Sequence, residues 1–353
     1  MRDISTGTFT MPARLLFTVT AAVLLTIGIS ELASILIPIL FSLFATLILA
    51  PLIHKLQKKG IHPVVSVALV ILLFLLMVIA IGLLVVSAIL QFNQLIPTYQ
   101  SRLIETLNSL SIYLPSVENI SLGTIARDIA LFLLGSLASI LTGTVNAATT
   151  VGLIIITTAF LLIDAVGVSK KVQREVEEHF VLAANIKNLG RQVVDYMVIR
   201  TETNLVMGIG TAVILLIAGV DFAILWGFLA FVLGYIPYIG LLLAVIPPAI
   251  LALLQYGPLG ALAIIAAILI INALSENVLF PSLAGKGLEL SPSVVFLSLV
   301  YWGYVLGPAG ALLSTPLTMV VRTILGSFEE THWLAELMGE TKLRKIPDEA
   351  EAV

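Results

Sequence analysis

The chain has 353 residues, 59% of them hydrophobic and only 11% charged, with a mean hydropathy of +1.12. So few charges cannot cover a water-soluble surface, which needs roughly a quarter of the residues charged, so the composition specifies a polytopic membrane protein. The 18 Lys and Arg against 21 Asp and Glu leave no basic footprint for a nucleic acid, and the absence of cysteine excludes disulfides, thiolate metal sites and a cysteine nucleophile.

A helix that crosses the bilayer needs about 20 apolar residues, because it must satisfy its own backbone across roughly 30 Å of hydrocarbon. Residues 15–29 and 32–53 form the first two runs, parted only by Ser30 and Glu31. Residues 64–90 form the third and carry no charge. The run 129–163 would reach about 50 Å as one straight helix, so it must tilt, break or project. Residues 203–220 form the fifth run. The pattern then changes: 222–256 is interrupted at Pro237–Gly240 and at Pro247-Pro248, 259–280 is closed by Pro281, and 294–321 is interrupted at Gly307–Gly310.

Two stretches read as amphipathic helices outside the bilayer. Residues 91–128 place Phe92, Leu95, Tyr99 and Leu103 at helical spacing, with Arg102 and Glu105 opposite; residues 165–202 repeat the pattern with more charge. The expected organisation is therefore N-terminal transmembrane helices (1–90), an extracytoplasmic segment (91–128), a long transmembrane helix (129–164), a cytoplasmic segment (165–202), a core of broken helices (203–325) and a polar cytoplasmic tail (326–353). Eight crossings are expected, with 294–321 as a re-entrant pair of half-helices; reading 222–256 as re-entrant too gives six. With both termini in the cytoplasm, every Lys and Arg except Arg102 and Arg127 falls on the inner side, as the positive-inside rule requires.

Histidines 54, 62, 179 and 332 all sit in polar segments, so no metal or cofactor is expected. No G-x-x-x-x-G-K-[ST], H-E-x-x-H or G-x-S-x-G pattern occurs, which argues against an ATPase or a membrane enzyme. Function must then lie where the membrane rules are broken. Irregular backbone at membrane depth survives only where protein or water satisfies it, so broken segments mark substrate or ion pathways. The candidates are Pro237 and Gly240 at one break and Gly307 and Gly310 at the other. At either glycine a larger side chain would fill space the turn needs, and is expected to impair transport more than assembly. Asn272, Glu276 and Asn277 form a polar cluster near the end of an apolar run, Asn272 and Glu276 sharing a helix face. Arg200, Lys286 and Trp302 are candidates for a gate or an interface. Asp164 and Asp221 read as interfacial caps.

At these residues the chain resembles the autoinducer-2 exporter family of bacterial membrane proteins. The resemblance is carried by Asp221-Phe222, Trp226-Gly227, Ile236-Pro237-Tyr238-Ile239-Gly240, Ile246-Pro247-Pro248, Glu276-Asn277 with Pro281, Gly285-Lys286-Gly287-Leu288-Glu289-Leu290-Ser291-Pro292, Tyr301-Trp302-Gly303, Gly307-Pro308-Ala309-Gly310 and Ser314-Thr315-Pro316. Many relatives carry Asn just before the Ile-Pro, where this chain has Gly234-Tyr235. The resemblance implies a homo-oligomeric, multi-pass transporter of the inner membrane that exports a small furanone-type signal or exchanges sodium for protons. It supplies no catalytic residue. A non-transporting assembly or sensor protein is the remaining alternative, in which the amphipathic segments would be the working surfaces.

Overall fold

A computed structural model describes residues 11–111, 150–164, 180–284 and 290–339. Lys286, residues 112–128, the first half of the 129–163 run and the tail beyond 339 lie outside the described residues. Among the described residues the regular structure is helical, with five helices long and apolar enough to cross a membrane. The chain is an all-α polytopic membrane protein.

The helices are α1 (Met11–Glu31), α2 (Ala33–Lys58), α3 (Pro63–Ser111), α4 (Thr150–Asp164), α5 (Phe180–Ala218), α6 (Ala223–Leu233), α7 (Ile239–Leu274), α8 (Phe280–Ala284), α9 (Pro292–Gly326) and α10 (His332–Leu337). A π-helical turn, Ser275–Leu279, joins α7 to α8. In α2 the hydroxyls of Ser42 and Thr46 donate back to the carbonyls of Pro38 and Ser42, which satisfies them inside the apolar helix; Ser42 also reaches Ile154 of α4 at 3.1 Å. The 49 residues of α3 run from Pro63 past the apolar span, so residues 91–111 continue a membrane helix without a break.

Both long C-terminal helices fold back on themselves. In α7 the backbone leaves helical geometry at Gly257 (φ 74°), and beyond it Gly260 packs on Tyr256 and lies beside the carbonyl of Ala252. In α9 the break is Gly307 (φ 64°), after which Trp302 Nε1 donates to Thr318 Oγ1 at 3.0 Å. Residues 16 apart lie about 24 Å apart in a straight helix, so α9 is a hairpin of two half-helices. A third reversal joins α6 to α7. There a Cβ on Gly240 would sit 1.9 Å from the carbonyl oxygen of Leu233, and a Cβ on Gly310 would sit 1.9 Å from that of Trp302. Even alanine cannot fit against a backbone carbonyl at that distance. The expectation that larger residues here would impair transport more than assembly is therefore corrected: the turns themselves need glycine.

The buried centre is made by the returning arm of α9, where residues 313–319 are buried without interruption against Phe44 of α2 and Tyr196 and Met197 of α5. Ser291 caps α9, with Pro292 at the first position, and α10 folds back on its base through Ser291 N to Met338 O and Arg322 Nε to Ala335 O. The closest helix approach that the glycines mark is between α5 and α6. Gly208 and Ala212 of α5 meet Gly227 of α6 with backbone nearly touching, whereas Gly303 faces only Ala311 across its own hairpin.

Candidate functional site

The α6–α7 reversal opens on a cavity of about 510 Å³ walled by α5, the reversal itself, the end of α7 and both arms of α9. That volume falls in the range of small-molecule sites. Its polar centre is an ion pair. Arg200 Nη1 lies 2.8 Å from both carboxylate oxygens of Glu276, 76 residues later in the chain. Arg200 also donates through Nη2 to the carbonyl of Gly234 and lies over the ring of Phe280, 5.7 Å from its centroid. The Arg200 side chain is 11% exposed and that of Glu276 is 32% exposed. Burying these charges is tolerable because each neutralises the other. The wall therefore carries no net charge while keeping strong donors and acceptors.

The local sequence explains how this is built. Helix α5 carries Arg200 and Asn204 one turn apart, so both face the reversal. Gly234 packs directly on the Asn204 carboxamide, since a Cβ would lie 2.7 Å from Asn204 Oδ1. Pro237 cannot donate a backbone hydrogen bond and ends the α6 geometry, and Tyr238 follows with φ 61°. Tyr238 is held by Phe296, at 6.1 Å between rings, and by its hydroxyl on the carbonyl of Pro292. The hydroxyls of Thr201 and Tyr235 lie 2.6 Å apart, so Tyr235 makes a polar contact at the step just before the Ile-Pro.

Of the residues singled out from the sequence, Arg200, Pro237, Asn272 and Glu276 meet in this cavity. Gly240 is buried in the same reversal. Asn277 is exposed and is not part of the wall. Gly307, Gly310 and Trp302 belong to the α9 turn, away from the cavity lining, with Trp302 packed in the buried centre. Tyr196, in the stretch with Arg200 that enters the fifth run, is also on the wall; sequence reasoning missed Thr315, on the wall, and Asn204 behind it. The spacing of Tyr196, Arg200 and Asn204 at every fourth residue was the available signal.

Asp221 does more than cap a helix end. Its carboxylate accepts the Tyr99 hydroxyl at 2.6 Å and the side-chain amide of Gln255, while its carbonyl accepts Trp226 Nε1 at 3.1 Å. Burial, reinforced by the hydrogen bond to Asp221, pushes the Tyr99 phenol above its ordinary value. This cluster ties residues 91–111 to the tip of α7, about 30 Å along α5 from the ion pair. No group of three or more metal-ligating side chains occurs among the described residues.

The profile of the AI-2E family transporter matches residues 15–330. The chain belongs to the AI-2E transporter family. It is similar to the AI-2 transport protein TqsA of Escherichia coli K12, 31% identical over 79% of this chain and 82% of that one. It is also similar to the putative transport protein YhhT of the same organism, at 28% over 83% and 84%, and to a putative transport protein of Haemophilus influenzae, at 30% over 84% and 87%. An AI-2E family member with these apolar helices is a multi-pass membrane transporter.

Proposed function

We propose that this transporter moves a small polar signal molecule, autoinducer-2 or a close chemical relative, across the bacterial inner membrane through the Arg200–Glu276 cavity. The observation that carries the reading is the cavity itself: a small-molecule-sized space at a helix break, with a buried but electroneutral polar wall. A neutral wall does not demand an ionic solute, and its hydrogen-bonding groups suit hydroxyls and carbonyls. The relationship to TqsA supports the same substrate class. The protein acts by transport and not by covalent chemistry, works as a homo-oligomer, serves quorum sensing, and keeps both termini in the cytoplasm. Cysteine introduced at Ser109 should then label from outside intact cells, and at Gln173 only after permeabilisation.

Glu276 favours a second reading, sodium/proton exchange. A carboxylate in a low-dielectric site can trade a proton for a cation, provided Arg200 releases it.

Two variants test the two readings. Replacing the pair together, as Arg200→Met with Glu276→Leu, leaves no charge stranded and so should preserve folding. Autoinducer-2 flux in proteoliposomes should fall at least about tenfold, the equivalent of one lost hydrogen bond. Unchanged flux in the folded double variant would overturn the cavity as the solute site. In the exchange reading, Glu276→Gln abolishes sodium flux driven by a proton gradient while downhill solute flux survives.

A further inference from the structure

We infer that one face of α5, from Arg200 through Asn204 to Thr211, is the path the solute follows out of the cavity, and that α6 is the movable cover over it. This rests on the cavity being the solute site.

Asn204 and Thr211 are both 0% exposed. Neither amide atom of Asn204 nor the hydroxyl of Thr211 has a hydrogen-bond partner among the described residues, and Arg200 Nε is likewise unpartnered. Buried polar groups are nearly always paired, because an orphan forfeits its hydration for nothing. In a chain so rich in Leu and Val, an apolar residue at either position would remove that penalty. The unpartnered groups on α5 are also aligned, unlike those of Thr158, Gln255, Ser275 and Thr315 on other elements. At about 100° per residue, positions 200, 204 and 211 fall within about 40° around the helix. Met207 lies between them on the same face and already lines the cavity. The stripe therefore begins in the cavity and leads along α5 toward the Asp221 end.

At its Asn204 end the stripe is covered by α6, which runs on beside it along Gly208 and Ala212. Gly234 lies against Asn204, Phe231 against Gly208, and Gly227 against Gly208 and Ala212. Apart from Phe231 the seam is glycine and alanine, which brings the two backbones close and leaves a smooth surface along which one helix can slide, as packed helices do in shear motions. The 11 residues of α6 are bracketed by Phe222 (φ 60°) and Tyr238 (φ 61°), the non-glycine residues with positive φ among the described residues. Such residues are strained and persist only where their surroundings hold them; they occur at switch regions and can act as hinges. A rigid short helix between two strained joints is built to move as a unit. When it parts from α5, Asn204 offers its NH2 donors and its carbonyl acceptor and Thr211 offers a hydroxyl, a set suited to a neutral, hydroxylated solute.

The test separates this function from a structural role, because the two predict opposite correlations. Thr211→Val is isosteric and removes only the orphan hydroxyl, so the unfolding temperature should rise while autoinducer-2 flux in proteoliposomes falls at least about fivefold. Thr211→Ser should recover part of that loss. Asn204→Leu should likewise lower flux in folded protein. A second measurement does not depend on the apolar variants: Thr211→Cys, in a chain without other cysteines, should react with a small neutral methanethiosulfonate in membranes, faster when autoinducer-2 is present. Wild-type flux in both apolar variants, or a cysteine at 211 that stays unreactive with and without solute, would overturn the path. If flux is lost in the Arg200→Met, Glu276→Leu protein but normal in Thr211→Val, the path fails and the cavity stands. Normal flux in both removes the cavity reading itself.

Discussion

The reversal at Pro237–Gly240 and the reversal at Gly307–Gly310 use one backbone device and reach different ends. In each, a glycine takes a preceding carbonyl against its Cα, Leu233 for Gly240 and Trp302 for Gly310, where any side chain would collide. What surrounds them differs. The first faces a guanidinium, a carboxylate and an unpartnered carboxamide, and a cavity opens beside it. The second is closed by apolar packing of Val305, Leu306 and Leu313, with Trp302 bonded to Thr318 across the hairpin. On the proposed reading, a broken membrane helix is not by itself a pathway. The neighbours that satisfy the break decide whether it is scaffold or site.

The largest expected effect tests what the two turns share. Gly240→Ala and Gly310→Ala should each cost more than about 4 kcal/mol, seen as loss of folded protein in the membrane fraction. Next comes the difference between them. Arg200→Ala strands the Glu276 carboxylate and should cost on the order of 3 kcal/mol, measured by thermal unfolding in detergent, whereas the α9 turn has no equivalent charge to strand. A smaller effect comes from the far end of α5. Tyr99→Phe removes one hydrogen bond to a carboxylate and should cost about 1.5–3 kcal/mol. Because the folded state holds the Tyr99 phenol protonated above its ordinary value, this contribution is complete below pH about 10 and declines as the pH rises above that value. Unfolding measured from pH 8 to 11 in the wild type and Tyr99→Phe checks the sign.

How much of this was legible in the sequence follows from what each feature depends on. The apolar runs and their breaks depend on local composition, and the doubling back near Pro237 and at Gly307 follows from Pro and Gly at membrane depth. The placing of Glu276 and Asn272 together on one polar wall was legible, because polar groups in apolar runs are costly and these two share a helix face. Their partner was not. Arg200, one of six basic residues in 165–202, reads from the sequence as a gate or interface candidate, and nothing in one sequence signals a contact 76 residues away. Asp221 joining Tyr99, 122 residues earlier, was hidden in the same manner. Asn204 and Thr211 look like ordinary polar residues in a helix until their burial and missing partners are seen.

The contrast between the two turns reduces to one measurement: autoinducer-2 flux in proteoliposomes, normalised to folded protein, for Asn272→Leu and Trp302→Phe. Asn272→Leu removes an amide from the cavity wall, while Trp302→Phe keeps an aromatic ring but removes the indole N–H that closes the α9 hairpin. The account predicts that Asn272→Leu loses most of its flux with little change in stability, and that Trp302→Phe keeps its flux while losing about 1 kcal/mol of stability. Normal flux in Asn272→Leu together with lost flux in Trp302→Phe would contradict it, and would move the pathway to the other turn.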